Sequence, residues 1–151
     1  AAQSSFISST FWTERIGPTA SLETLKWMEF ERSWEQITES GKYIKGLWEK
    51  ISRNNGVKIS QFGIPAIASY RFDSSNNLKY KTLISQEMLK RGYLATTAIF
   101  VTISHSREII DKYAENLNDI FALISQCENG LKDIDDLIEG EICHDGFKRL
   151  N

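Results

Sequence analysis

Nucleophilic catalysis needs a Ser or Cys, a His base and an orienting carboxylate brought together. Cys143-His144-Asp145 supplies all three types in a row. Sequence neighbours rarely point at one another, so the triplet is expected to be a structural tail. A zinc site would have to recruit Cys127, Cys143, His144 and His105, and no close-spaced ligand pair joins them. The acids Asp133, Asp135, Asp136, Glu139 and Glu141 lack the glycine and the ligand rhythm of a calcium loop and read as a solvated face. His105 stands where a strand gives way to a helix, a place for a capping or packing residue. The lysines and arginines between Lys26 and Arg53 read as a polar face without a stacking platform for single-stranded nucleic acid.

The remaining segment is Ser8 to Ala20, SSTFWTERIGPTA. A threonine in a loop just before a helix, followed by Gly17-Pro18, can place its hydroxyl and nearby N–H groups where the helix N-terminus adds positive potential. That suits a phosphate, and it equally suits a plain N-cap.

The elements that must position these residues follow from periodicity. Phe6 to Trp12 is β-branched and aromatic, a short strand or extended arm. Pro18 suits a first helical turn. Trp27, Phe30, Trp34, Ile37, Gly41, Ile44, Trp48 and Ile51 then recur at alternating steps of three and four, one stripe along a helix face. Two consecutive helices or one bent helix are expected, with the break near Thr38 to Gly41 and the end at Asn54-Asn55-Gly56. Val57 to Gln61 is a short strand. Ile64 to Asp73 alternates, with Ile64, Ala66, Ala68, Tyr70 and Phe72 on one side. Leu78 to Arg91 is an amphipathic helix stopped by Gly92, and Ala98 to Ser104 a third strand. Ser106 caps a helix running to about Gln126, with Ile110, Tyr113, Leu117, Ile120, Phe121 and Ile124 as its stripe. A short acidic helix, Leu131 to Leu137, leads into the tail.

The expected fold is α+β: a long N-terminal helical segment, then a small antiparallel sheet with helices on one face. The divisions are residues 1–17 as an arm and loop, 18–56 as linking helices, 57–126 as the small domain and 127–151 as a tail. The tryptophan-rich stripe needs the sheet, a missing domain or another subunit to cover it. The slightly negative net charge, −2, gives no general attraction to nucleic acid or anionic membrane. No apolar run approaches the roughly 20 residues of a membrane span. Two cysteines make no disulfide framework, so a reduced cytoplasmic setting is expected. The start Ala1-Ala2-Gln3-Ser4-Ser5 reads as a processed chain or as an excised piece carrying a short cloning scar.

The Ser8–Ala20 segment resembles the class III aminotransferase and glutamate-1-semialdehyde 2,1-aminomutase family of pyridoxal-phosphate (PLP) enzymes. A Thr-x-x-Gly-x-Pro type motif there opens the long helix to the small domain. Matching back from Pro18 puts the family's threonine at Thr13, with Gly17 one place later than usual. The resemblance continues through Gly92-Tyr93-Leu94-Ala95, Phe100 to His105, Ser106-Arg107-Glu108 and Cys143 to Leu150, and so covers nearly the whole chain. It implies the C-terminal part of a fold type I PLP-dependent transferase, with Thr13 binding the PLP phosphate of a neighbouring subunit. It further implies a homodimer, a small amino or keto substrate and a large PLP-binding domain that this chain lacks.

Two departures matter. The family's catalytic lysine lies upstream, in a turn not found here; the lysines present read as exposed, Lys58 for one. The loop after Leu94 is shorter than in the aminomutases, which fits an aminotransferase-like parent better than a true mutase. Glu14 and Arg15 read as an ordinary local ion pair or as organisers of the substrate entrance. On this reading the fragment alone is inactive. The alternative is a non-catalytic interaction module whose tryptophan stripe binds a partner, or self-association through that stripe.

Overall fold

The computed structural model describes residues 14–144 and residue 146. The expected strand over Phe6–Trp12, the phosphate-binding candidate Thr13, Asp145 and the end of the C-terminal motif lie outside them. The chain divides into two compact units, Ala1–Glu35 and Gln36–Asn151.

In the first unit, helix α1 spans Ile16–Glu31. Pro18 occupies its first turn, where a missing N–H leaves nothing unpaired. The helix buries none of its own residues, and Trp27 and Phe30 stay 58% and 76% exposed, with ring centroids 5.6 Å apart. It ends at Arg32, which takes a left-handed conformation (φ 49°) and donates its N–H to the Glu29 carbonyl. The helical segment therefore breaks at Arg32, not near Thr38–Gly41 as the sequence suggests.

Helix α2, Ser33–Asn55, runs straight through Gly41. The glycine serves close approach instead of a kink. A Cβ there would stand 2.0 Å from the carbonyl oxygen of Pro65, so only a bare α-carbon lets the helix meet the turn between the first two strands. The stripe read from the sequence splits accordingly. Ile44, Trp48 and Ile51 are buried in the core of the second unit, while Trp27, Phe30 and Trp34 remain exposed.

The second unit is built on a three-stranded antiparallel sheet in the order β1-β2-β3, comprising β1 (Ile59–Phe62), β2 (Ile67–Phe72) and β3 (Ala98–Phe100). Ile59 pairs with Phe72 and Phe62 with Ser69; Ile67 pairs with Phe100 and Ser69 with Ala98. Ala68, Tyr70 and Phe72 alternate inward as expected, although Ile64 precedes the strand and is exposed. Helix α3 (Asn77–Lys90) buries Tyr80, Leu83, Ile84 and Met88. Helix α4 (Arg107–Glu128) buries the whole expected stripe from Ile110 to Ile124. All three helices contribute to one core cluster on one sheet face; Phe62, Ile67 and Phe100 on the opposite face are exposed. This is the expected α+β arrangement.

Helix ends are fixed by backbone geometry. Gly56, Gly92 and Gly130 all have positive φ, and the residue after each donates back to the last turn: Val57 to Ser52, Tyr93 to Met88 and Leu131 to Gln126. These are Schellman closures. Ser106 caps α4, its Oγ accepting the Ile109 N–H at 3.4 Å.

The expected acidic helix over Leu131–Leu137 does not form. Asp133 Oδ1 instead accepts the Asp135 N–H at 2.9 Å, and the Leu137 N–H reaches the Ile134 carbonyl. An aspartate that turns its own backbone competes with a helix, and the buried Ile134 anchors the turn. No helix among the described residues is long and apolar enough to cross a membrane.

Candidate functional site

The expected phosphate contact, Thr13, precedes the described residues. Arg15 is the N-cap of α1, with no side-chain cap bond, and the first turn carries no acid. No ion pair joins Glu14 to Arg15, so the local pair expected from the sequence is not found.

In the second unit the Gly92–Ala95 and Phe100–His105 segments come together around one groove. The Schellman closure at Gly92 ends α3 and turns Tyr93, Leu94 and Ala95 across the mouth. The chain then enters β3, held by the Tyr70 N–H to Thr97 carbonyl bond and the Val101 N–H to Ala66 carbonyl bond, both 2.9 Å. Past β3 it folds back at His105, whose Nδ1 accepts the Thr102 backbone N–H at 2.9 Å and lies 3.1 Å from the Thr102 hydroxyl. A backbone N–H can only donate, so Nδ1 is the acceptor and the neutral ring carries its proton on Nε2. The groove encloses about 410 Å³, with Ile44, Tyr93, Phe100, His105, Ile110 and Tyr113 among its walls; no described Asp, Glu, Lys or Arg lines it.

Behind the groove lies a buried aromatic layer. Trp48 Nε1 donates to the Tyr113 hydroxyl at 3.0 Å, and Trp48 meets the Tyr70 ring edge-on at 4.7 Å. Tyr70 is 1% exposed and its hydroxyl has no partner. Burial raises the pKa of both phenols, so they stay neutral. Beside them the Tyr43 hydroxyl donates to Asp111, which raises its pKa first of all, and the Arg107 guanidinium stacks 3.0 Å from the Tyr43 ring centroid. The layer stiffens the junction of α2 and α4 and offers no exposed nucleophile.

Other chemical candidates resolve into structure. Cys143 ties the tail to α3, its N–H donating to Thr82 Oγ1 (2.9 Å) and its thiol to the Leu78 carbonyl (3.4 Å). Two of the acids form ion pairs, Asp135 with Lys79 and Glu139 with Lys90. No group of three potential metal ligands occurs among the described residues. A lysine that forms a covalent link to PLP must lose its proton near neutral pH, through burial or a neighbouring cation. No described lysine is buried, Lys58 is exposed as expected, and none lines the groove. Lys90 shifts the wrong way, its pKa raised by hydrogen bonds to Glu139 and Glu87. No described lysine therefore has the burial that a covalent PLP anchor requires.

Neither a protein-family model nor a curated protein matches the chain. Among solved structures it is similar to the FumI protein of Sphingopyxis sp. MTA144, determined in its PLP internal aldimine form. The TM-score is 0.73 at 18% identity over 90% of this chain. The chain spans 33% of that protein's length. The likeness establishes a shared fold.

Proposed function

We propose that this chain is the C-terminal domain of a PLP-dependent aminotransferase, related to the class III and glutamate-1-semialdehyde aminomutase group. The observation that carries the reading is the fold likeness, over nearly all of this chain and a third of its neighbour, to a protein solved with PLP. It is supported by the grouping of the two resembling segments, Gly92–Ala95 and Phe100–His105, around one groove.

On this reading PLP, when bound in the longer protein, supplies the electron sink for moving an amino group. The lysine that carries it belongs to a large domain outside these residues. This chain's own part is to position and to exclude water. Thr13 donates its hydroxyl to the cofactor phosphate of a neighbouring subunit in a homodimer. The apolar walls at Tyr93, Leu94 and Phe100 help dry the space in which a small amino or keto substrate sits, which strengthens every polar contact inside it. His105 is a positioning residue: by accepting from Thr102 it fixes the turn between β3 and α4.

The exposed Trp27, Phe30 and Trp34 give substance to a second reading, a non-catalytic module that covers these residues with another protein. The coding sequence upstream of Gln3 separates the two. The enzyme reading expects the frame to continue into a lysine-bearing PLP domain; a native start codon at that point supports the module.

A further inference from the structure

A second groove, of about 610 Å³, lies where β1 and β2 approach the start of α3. Arg71, Lys81, Asn77 and Thr97 are among its lining residues, and no described Asp or Glu lines it. Neither Arg71 nor Lys81 has an ion-pair partner among the described residues, and Lys81 is half-buried. A cation without an ion-pair partner is available to an anion.

Three further observations point the same way. Thr97 is only 8% exposed and lines the groove. The Asn77 side-chain oxygen is committed to the Phe72 N–H (3.0 Å), which leaves its amide NH₂ as the free end. Helix α3 begins here with no side-chain cap from its N-cap residue Asn76 and no acid in its first turn. The acid that follows on β2, Asp73, accepts the Ser60 hydroxyl at 2.7 and 2.9 Å and lines a different groove with Gly56 and Glu128.

We infer that this groove binds the phosphate group of a small phosphorylated molecule, with Lys81 and Arg71 as the charged contacts and Thr97 and Asn77 as neutral donors. Two cations suit the higher charge of a phosphate better than the single charge of a carboxylate, and two neutral donors add contacts for its remaining oxygens. The inference does not depend on the transaminase reading, because every residue in it belongs to this chain.

The test is a titration of the isotope-labelled 151-residue chain with inorganic phosphate, followed by ¹H–¹⁵N spectra at fixed ionic strength, with acetate as the comparison. Saturable shifts are expected at Arg71, Asn77, Lys81 and Thr97, with acetate at least tenfold weaker. Lys81→Gln and Arg71→Gln should each weaken phosphate severalfold and the pair at least tenfold, with the rest of the spectrum unchanged. Lys112→Gln makes the same charge change on α4 and should leave the affinity as it was. Shifts that do not saturate, that spread over the basic surface, or that persist in the double variant would overturn the assignment. So would equal binding of acetate.

Discussion

Gly41→Ala tests how α2 is seated against the sheet. An added Cβ meets three backbone atoms of Pro65: the carbonyl oxygen at 2.0 Å, the carbonyl carbon at 2.5 Å and Cα at 2.9 Å. No rotamer change relieves a backbone clash, and ordinary contact at about 3.4 Å needs a displacement of about 1.4 Å. Overpacking of this kind costs about 3 kcal/mol. Against it stands the helix-propensity gain of about 1 kcal/mol for replacing glycine by alanine. The net expectation is a loss of about 2 kcal/mol, or roughly 6–12 °C in Tm for a domain of this size. Gly46 is the control: it lies in the same helix with nothing within 4 Å of its added Cβ. Gly46→Ala should therefore stabilise by about 0.5–1 kcal/mol. Urea unfolding, followed by far-ultraviolet circular dichroism and tryptophan fluorescence, reads both. A Gly41→Ala midpoint equal to or above wild type, or equal shifts for the two variants, would refute the close-approach argument.

Tyr70→Phe removes a buried hydroxyl that has no partner and should be neutral or stabilising by up to about 1 kcal/mol; Tyr113→Phe strands the Trp48 N–H and should cost about 1–3 kcal/mol. A reversed order in thermal melts would show that the buried hydroxyl network is misassigned. Burial lifts the Glu87 carboxyl, but hydrogen bonds from Lys90, Gln86 and Arg91 outweigh it and hold the pKa below the ordinary value. Its stabilisation is therefore present above the unfolded value of about 4.3 and lost as pH falls through the folded one. The Tm gap between wild type and Glu87→Gln should be steady above about pH 5 and close in acid; a gap independent of pH counts against the pairing. In a full-length enzyme of the proposed kind, Thr13→Val should weaken PLP retention about tenfold or more, the scale of a hydrogen bond to a charged group. Fluorescence-monitored cofactor release measures it, and unchanged retention would remove Thr13 from the phosphate site.

Much of the second unit was legible because local signals agreed. The stripe from Ile110 to Ile124, the alternation of Ala68, Tyr70 and Phe72, and the glycines at 56 and 92 each say the same thing at residue and element level. The misreadings have physical reasons. The break at Arg32 carries no glycine or proline, so nothing in its composition announces a left-handed residue. Gly41 looks like a kink until the approach of Pro65 is known, which is a tertiary fact. The acidic segment after Leu131 follows its Asp133 turn, not its helical spacing. Of the candidate site, His105 was legible as a junction residue, but the groove beside it was not, because its walls come from α2, β3 and α4 together. Arg71 and Lys81, which line one groove, lie 10 positions apart in sequence, on a strand and a helix, with no periodicity to join them.

Under the proposed function, the chemistry belongs to a PLP-bearing lysine outside these residues. Borohydride reduction of the longer protein with PLP, followed by peptide mapping, tests it directly. One modified lysine is expected, located outside Ala1–Asn151. A modified lysine within that span, or no lysine-linked cofactor at all, would contradict it.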